Sequence, residues 1–258
     1  MLVMFNMMII FAAILSSLTV AFASALPTDP INCTDWRNII DKESSRLFLI
    51  GDKDLHIPVN MTEVSDQTCP RLQEASSRIR RTIKQCLKPF PETIVGMILH
   101  GARKVSKTMC ANEKEREDLI LHLSCLRDGR GDQLHAILHD MSKKLTSIRD
   151  TMADNRKLDI MCCQMMQTKK ELVDKSASMC PPTTGRWMGQ VMDIMMKDTL
   201  DFACYTFQRD GNLCHPVLEM YPINLTSESM TQSASFVMPL IDILTDSGAF
   251  LQEHASEQ

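Results

Sequence analysis

The sequence predicts an all-α fold, a helical bundle stapled by disulfides. Apolar residues recur every three or four positions through most of the chain, which is the period of an amphipathic helix. Only 5% of the 258 residues are aromatic, and runs of β-branched residues are few, which argues against a sandwich or a barrel. The cysteine count is ten, and an even number is typical of a disulfide framework in an oxidising compartment.

The clearest helical pattern runs from Leu134 to Met152, where apolar residues are spaced alternately by four and three positions. Asp132 precedes this pattern as a predicted N-cap, and Pro91 lies in the first turn of an earlier helix. We interpret residues 51–67 as a polar linker. The same reasoning predicts helices over 35–49, 70–87, 91–110, 114–127, 134–152, 156–179, 188–203 and 234–245.

The first 25 residues carry no charged side chain and end in Ala23-Ser24-Ala25, which fits the cleavage pattern of a signal peptide. A retained membrane anchor is the alternative, because a basic segment before the apolar run is missing. After cleavage we expect no membrane span. The expected segments are a signal peptide at 1–25, an N-terminal helix and linker at 26–68, a first helical half at 69–128, a second helical half at 129–215, and a C-terminal tail with a short helix at 216–258.

The cysteine spacing indicates that the two halves are related. Proline-containing turns at 88–91 and 181–184 lie at matching places in the two halves. This pattern favours two duplicated helical-hairpin halves, and a chance coincidence of the spacings is the alternative. Three cysteines recur after the same 94 residues, so that Cys69, Cys86 and Cys110 correspond to Cys163, Cys180 and Cys204.

Helix geometry then predicts how the cysteines are bonded. Two helices of similar length joined by a tight proline turn lie antiparallel, which brings the start of the first beside the end of the second. The helix that follows each hairpin runs back along it, and two leftover cysteines tie the N-terminal helix to the bundle. The predicted bonds are Cys69–Cys110, Cys86–Cys125, Cys163–Cys204, Cys180–Cys214 and Cys33–Cys162.

Three N-x-[ST] sequons, at Asn32, Asn60 and Asn224, agree with passage through the secretory route. We therefore expect a secreted, extracellular glycoprotein. The formal net charge of -4 gives no reason to expect nucleic acid or an anionic membrane as a partner.

The sequence offers no strong catalytic or metal-binding motif. His135 and His139 lie one helical turn apart, but zinc needs at least a third ligand and the glutamate of H-E-x-x-H is missing. The sequence also lacks a C-x-x-C pair, a G-x-S-x-G nucleophile motif and a glycine-rich phosphate loop. We expect no enzyme activity, no cofactor and no metal. All cysteines are expected in disulfides: Cys33, Cys69, Cys86, Cys110, Cys125, Cys162, Cys163, Cys180, Cys204 and Cys214.

Two features are candidate binding sites. Arg130-Gly131-Asp132 is a tripeptide by which several extracellular proteins engage integrins, and it lies at an expected interhelical turn. The glycines as turn formers and Asp132 as a cap explain the same residues without adhesion. Core filling is the favoured interpretation of the methionine-rich faces, and a surface for variable apolar ligands or partner helices is the alternative. These faces contain Met161, Met165, Met166, Met188, Met192, Met195 and Met196.

The signal peptide, the helical hairpins and the doublet Cys162-Cys163 followed by Cys180 resemble the cysteine-rich secreted helical proteins of arthropods and nematodes, including the insect haemolymph glycoprotein type. The resemblance covers about residues 30–215 and carries over no functional residue. We expect a non-enzymatic binding protein for a small apolar ligand or an extracellular protein partner. The alternative is an adhesion or host-interaction factor that uses the loop at Arg130.

Overall fold

Ten α-helices of five or more residues build the described part of the chain, which contains no strand. The computed structural model describes residues 31–48, 50, 56–223, 225 and 235–255, with side chains described as far as residue 247. The helices are α1 (Trp36–Leu47), α2 (Cys69–Cys86), α3 (Pro89–Met109), α4 (Glu113–Ser124), α5 (Arg130–Thr151), α6 (Asp154–Met179), α7 (Pro182–Ala203), α8 (Tyr205–Arg209), α9 (Cys214–Met220) and α10 (Val237–Ala255).

The eight predicted helices are confirmed as α1 to α7 and α10, and the differences lie at their ends. The polar linker was predicted too long, because Met61–Glu63 is a helical turn and Val64–Thr68 a π-helical stretch that leads into α2. Asn60 caps this segment, since its side-chain oxygen accepts a hydrogen bond from the backbone N–H of Glu63. The N-cap of α5 is also different from the prediction.

Gly129 is the residue that starts α5, with a left-handed φ of 80°. Asp132, the predicted N-cap, lies inside the first turn. The left-handed conformation suits glycine, and it turns the chain so sharply that the helix begins at Arg130. An acidic side chain in a first helical turn still interacts favourably with the helix dipole.

The helices pack as two groups of three. In the first group α1 packs against α2 and α2 against α3, and in the second group α5 packs against α6 and α6 against α7. The two groups meet where α3 packs against α7. Gly101 allows this contact, because a Cβ atom there would lie 2.4 Å from the carbonyl oxygens of Ile194 and Met195.

Five disulfides join these helices, and one of the five predicted pairs is correct. Cys69–Cys110 closes the α2–α3 hairpin as its antiparallel geometry predicts. The other four predicted pairs, Cys86–Cys125, Cys163–Cys204, Cys180–Cys214 and Cys33–Cys162, are wrong. The observed bonds are Cys33–Cys86, Cys125–Cys180, Cys162–Cys204 and Cys163–Cys214.

The errors have two physical causes. The helix that lies along α2 is α1, which precedes it, so Cys86 bonds to Cys33 in the turn just before α1. Adjacent residues on a helix also point about 100° apart, so the doublet on α6 cannot face one neighbour. Cys162 therefore bonds to Cys204 after α7, while Cys163 faces α9 and bonds to Cys214.

The observed bonds repeat along the chain. The bonds Cys33–Cys86 and Cys125–Cys180 span 53 and 55 residues. Each joins the segment that precedes a group of three helices to the end of the second helix in that group, which is α2 in the first group and α6 in the second. The pairs that close the hairpins, Cys69–Cys110 and Cys162–Cys204, span 41 and 42 residues. The counterpart of Cys69 is thus Cys162, whereas the 94-residue spacing aligns Cys69 with Cys163. The ancient duplication itself stays a prediction.

The C-terminal helix α10 lies in the core without a disulfide. It packs against α1, α3, α5 and α6, and its described apolar side chains are almost fully buried. Asp242 of α10 accepts hydrogen bonds from Arg37 of α1, at 2.5 and 2.7 Å, and from Arg149 of α5, at 3.1 Å. These contacts stabilise the C-terminal helix by burial and by charge. No described helix is both long enough and apolar enough to span a bilayer.

Candidate functional site

A large open groove lies between α6, α7, α8 and α9. Its volume is about 1290 Å³, and α6 and α7 form its base while α8 and α9 form its far side. We call it the α6–α9 groove.

The floor of the groove is apolar. Met166 and Val173 of α6, Leu200 of α7 and Leu218 of α9 line it, together with the disulfide Cys163–Cys214. Met166, Val173 and Leu218 are half-buried, so their apolar surface is only partly covered by the protein.

Gly189 widens the floor of the groove. A Cβ atom at Gly189 would meet only Val173 Cγ2, at 3.8 Å, so the space above this glycine is open. The groove therefore offers unfilled apolar surface beside α7, which an apolar ligand would cover.

The rim of the groove is charged, and its charges are paired. Lys169 of α6 forms an ion pair with Asp193 of α7, which joins the two helices. On α6, Lys170 contacts Asp174 at 2.5 Å, one helical turn away. The remaining rim pairs are Lys197–Asp201 on α7 and His215–Glu219 on α9.

Two of these ion pairs shift the pKa values of three rim residues, Lys170, Lys197 and Asp201. The hydrogen bond that Lys170 donates to Asp174 raises the pKa of Lys170, and the hydrogen bond that Lys197 donates to Asp201 raises the pKa of Lys197. Lys197 in turn lowers the pKa of the Asp201 carboxyl. At neutral pH the rim therefore presents compensated charges to whatever enters the groove.

The chain beyond α7 is positioned by a disulfide and a tight turn. The Asp210 carboxylate accepts a hydrogen bond from the backbone N–H of Asn212, which turns the chain between α8 and α9. Cys214 at the start of α9 then bonds to Cys163 of α6, and α9 packs along α6. Helices of five and seven residues are too short to be stable alone, so these contacts hold the groove open in one shape.

The predicted methionine-rich faces lie mostly in the core. Core filling, the favoured interpretation, is therefore confirmed for most of these residues. Only Met166 is partly accessible, and it lines the α6–α9 groove. The buried members are Met161, Met165, Met188, Met192, Met195 and Met196.

The predicted adhesion tripeptide lies in a helix and not in the expected turn. Arg130, Gly131 and Asp132 form the first turn of α5. The Arg130 guanidinium donates a hydrogen bond to the carbonyl oxygen of Cys125, at 3.2 Å, and the N–H of Gly131 donates to the carbonyl oxygen of Leu126, at 2.8 Å. The side chains of Arg130 and Asp132 are exposed.

The structure describes the histidine pair and two of the three sequon asparagines. The rings of His135 and His139 stack with their centroids 6.2 Å apart, and the described residues contain no cluster of three metal-ligating side chains. The sequon residues Asn32 and Asn60 are exposed. Asn224 and the expected signal peptide at 1–25 lie outside the described residues.

The groove itself was missed by sequence reasoning. Its far side consists of α8 and α9, which are too short to give a periodic pattern. One signal was present in the doublet Cys162-Cys163, because two cysteines that point in different directions need two different neighbours. The second neighbour is α9, which borders the groove.

The chain was compared with known proteins at three levels. No family model, no curated protein and no solved structure matches it. The resemblance to cysteine-rich secreted helical proteins therefore stays a prediction.

Proposed function

We propose that this chain is a secreted, non-enzymatic binding protein that carries a small apolar ligand in the α6–α9 groove. The observation that carries the proposal is the combination of a floor of apolar side chains with a volume of about 1290 Å³. Ligand sites are typically concave, apolar and roughly 300–1,000 Å³ in size, so this open groove has room for a lipid-sized molecule.

The ordering of the groove supports binding as well. Its base consists of two long helices that are cross-linked through Cys162–Cys204, and its far side is linked to the base through Cys163–Cys214. A site held in shape before the ligand arrives loses less conformational entropy on binding. The disulfides thus support a preformed ligand site.

Secretion and glycosylation belong to the same proposal. Five disulfides among the described residues favour an oxidising compartment, and the two described sequon asparagines are accessible. No observation favours the adhesion alternative at Arg130, which stays a prediction.

Titration with N-phenyl-1-naphthylamine, a neutral fluorophore that brightens in apolar surroundings, tests the ligand site. The protein should first be extracted with organic solvent, and the extract should be analysed by mass spectrometry for bound apolar molecules. We expect saturable binding at one site per chain. An absence of saturable binding in the extracted, folded protein would contradict the proposal.

A matched pair of variants locates the site. Gly189→Leu places a side chain over the open floor, and we expect it to weaken binding of the fluorophore at least tenfold. Gly96→Leu makes the same change in α3, at a glycine where a Cβ atom meets nothing within 4 Å, and we expect unchanged binding. Equal affinity of both variants and the unmodified chain would show that the fluorophore binds elsewhere.

A further inference from the structure

We infer that the α6–α9 groove selects an uncharged amphiphile, such as a long-chain alcohol or ester, over a fatty acid or an alkyl amine. This inference rests on the proposed function and names the class of ligand. It follows from the way in which the groove combines an apolar floor with a rim of compensated charges.

The three lysines of the rim are already occupied by carboxylates. Lys169 is paired with Asp193 across α6 and α7, and the other two lysines are paired along their own helices. A ligand carboxylate that approached Lys197 would have to displace Asp201 or lie beside it. Either arrangement leaves an unpaired or repelled negative charge, so the rim offers an anion little net attraction.

The overall charge of the rim also disfavours an anion. Three lysines and four carboxylates line the groove, which gives a formal charge of -1 with His215 neutral. The carboxylate without a lysine partner is Glu219, which contacts His215 and whose side chain is 70% exposed. Water and salt screen so exposed a charge, so an alkyl ammonium gains little from it.

An uncharged head group avoids both problems. Two amide side chains, Gln167 and Gln208, line the groove, and Gln208 also hydrogen-bonds Asp201. An amide has two N–H donors for a hydroxyl or an ester, and its oxygen can accept from a hydroxyl. Such a head group loses less hydration energy on entering than a charged one, because it carries no net charge. The alkyl chain of the ligand covers the floor around Met166 and Val173.

Displacement of N-phenyl-1-naphthylamine by three ligands of equal chain length tests the inference. The ligands are 1-dodecanol below its solubility limit and dodecanoate and dodecylammonium below their critical micelle concentrations, all at pH 7.4. We expect the alcohol to displace the fluorophore at a concentration at least tenfold lower than dodecanoate and at least threefold lower than dodecylammonium. Equal or stronger displacement by either charged ligand overturns the inference while the proposed function stands.

The other outcomes are also decisive. If the fluorophore binds but none of the three ligands displaces it, the inferred ligand class is wrong. If the fluorophore itself does not bind, the proposed function fails and the inference fails with it.

A change of rim charge gives an independent readout. The double variant Asp193→Asn/Asp201→Asn leaves Lys169 and Lys197 without their carboxylates, and we expect dodecanoate to bind at least fivefold more tightly while 1-dodecanol changes less than twofold. The control Asp140→Asn/Asp159→Asn removes two carboxylates from ion pairs outside the groove, and its ligand affinities should be unchanged. Unchanged dodecanoate affinity in the rim variant, with native circular dichroism, overturns the inference.

Discussion

Gly101 of α3 lies directly against the backbone of Met195 in α7, and this contact is where the two groups of three helices meet. A Cβ atom at Gly101 would lie 2.4 Å from the carbonyl oxygen of Met195 and 2.7 Å from its carbonyl carbon. Backbone atoms cannot rotate away as a side chain can, so any larger residue forces the helices apart. One missing methyl group therefore sets the spacing of α3 and α7.

Gly101→Ala should destabilise the protein by about 1–3 kcal/mol, because it overpacks this contact. The control is Gly96→Ala in the same helix, where a Cβ atom meets nothing within 4 Å. Alanine is the better helix former by about 0.5–1 kcal/mol, so the control should be neutral or stabilising. Chemical unfolding of both variants measures the free energies, and equal stabilities would contradict the tight contact.

The ionic link between α10 and the bundle makes a second prediction. Asp242→Asn removes the charge that faces Arg37 and Arg149, and hydrogen bonds to charged groups contribute about 1.5–3 kcal/mol. We expect a loss near the lower end, because half of the Arg37 side chain is exposed and Arg149 also contacts Asp150. Asp246→Asn, at an exposed position of α10, should leave the unfolding free energy unchanged.

Hydrogen exchange can report the same change locally. Loss of the Asp242 charge should speed exchange in α10 more than in α2, which is held by disulfides at both ends. Uniform acceleration over the chain would contradict a local role for Asp242.

The stacked pair His122 and Trp187 predicts a pH-dependent signal. Their ring centroids lie 4.9 Å apart, and burial lowers the pKa of His122. A protonated imidazole quenches indole fluorescence, so acidification should quench Trp187 with a midpoint below about 6.5, the ordinary histidine value. Trp187→Phe should abolish this transition, because Trp187 is the ring that stacks on His122.

The same group also predicts the direction of the stability change. The unfolded chain binds the proton of His122 at higher pH than the folded chain, so the free energy of unfolding falls as pH drops through about 6.5 towards the folded pKa. His122→Gln should flatten this part of the profile. A fluorescence midpoint at or above 6.5 would contradict both expectations.

The disulfide Cys163–Cys214 predicts a separation of stability from binding. Replacing both cysteines by serine releases α9 from α6, which should cost about 2–5 kcal/mol and weaken fluorophore binding at least tenfold. The matched variant Cys69→Ser/Cys110→Ser removes a bond whose cysteines do not line the groove, and we expect a comparable loss of stability and unchanged binding. Thermal unfolding compares the stabilities of the two double variants, and fluorophore titration at a temperature where both are folded compares their affinities. Equal affinities would contradict the role of α9.

The amphipathic patterns were strong enough to predict the helices, because side chains that recur every three or four positions lie on one helical face. The stripe from Leu134 to Ile148, for example, is buried throughout in α5. Pro91 was predicted in the first turn of a helix, and it lies in the first turn of α3, which begins at Pro89. Helices α8 and α9 were missed because five and seven residues contain too few turns for a period.

The sequence by itself determined the all-α class, eight of the helices, the hairpin closed by Cys69–Cys110 and the buried role of most methionines, because each of these depends on neighbouring residues and short-range geometry. Only the tertiary structure decided the other four disulfides, since each depends on which helices lie side by side. It also decided the α6–α9 groove. Cys162 and Cys163 point in different directions from α6, so they bond to two different segments. The segment that bonds to Cys163 is α9, which follows α7, α8 and a turn in the chain and borders the groove.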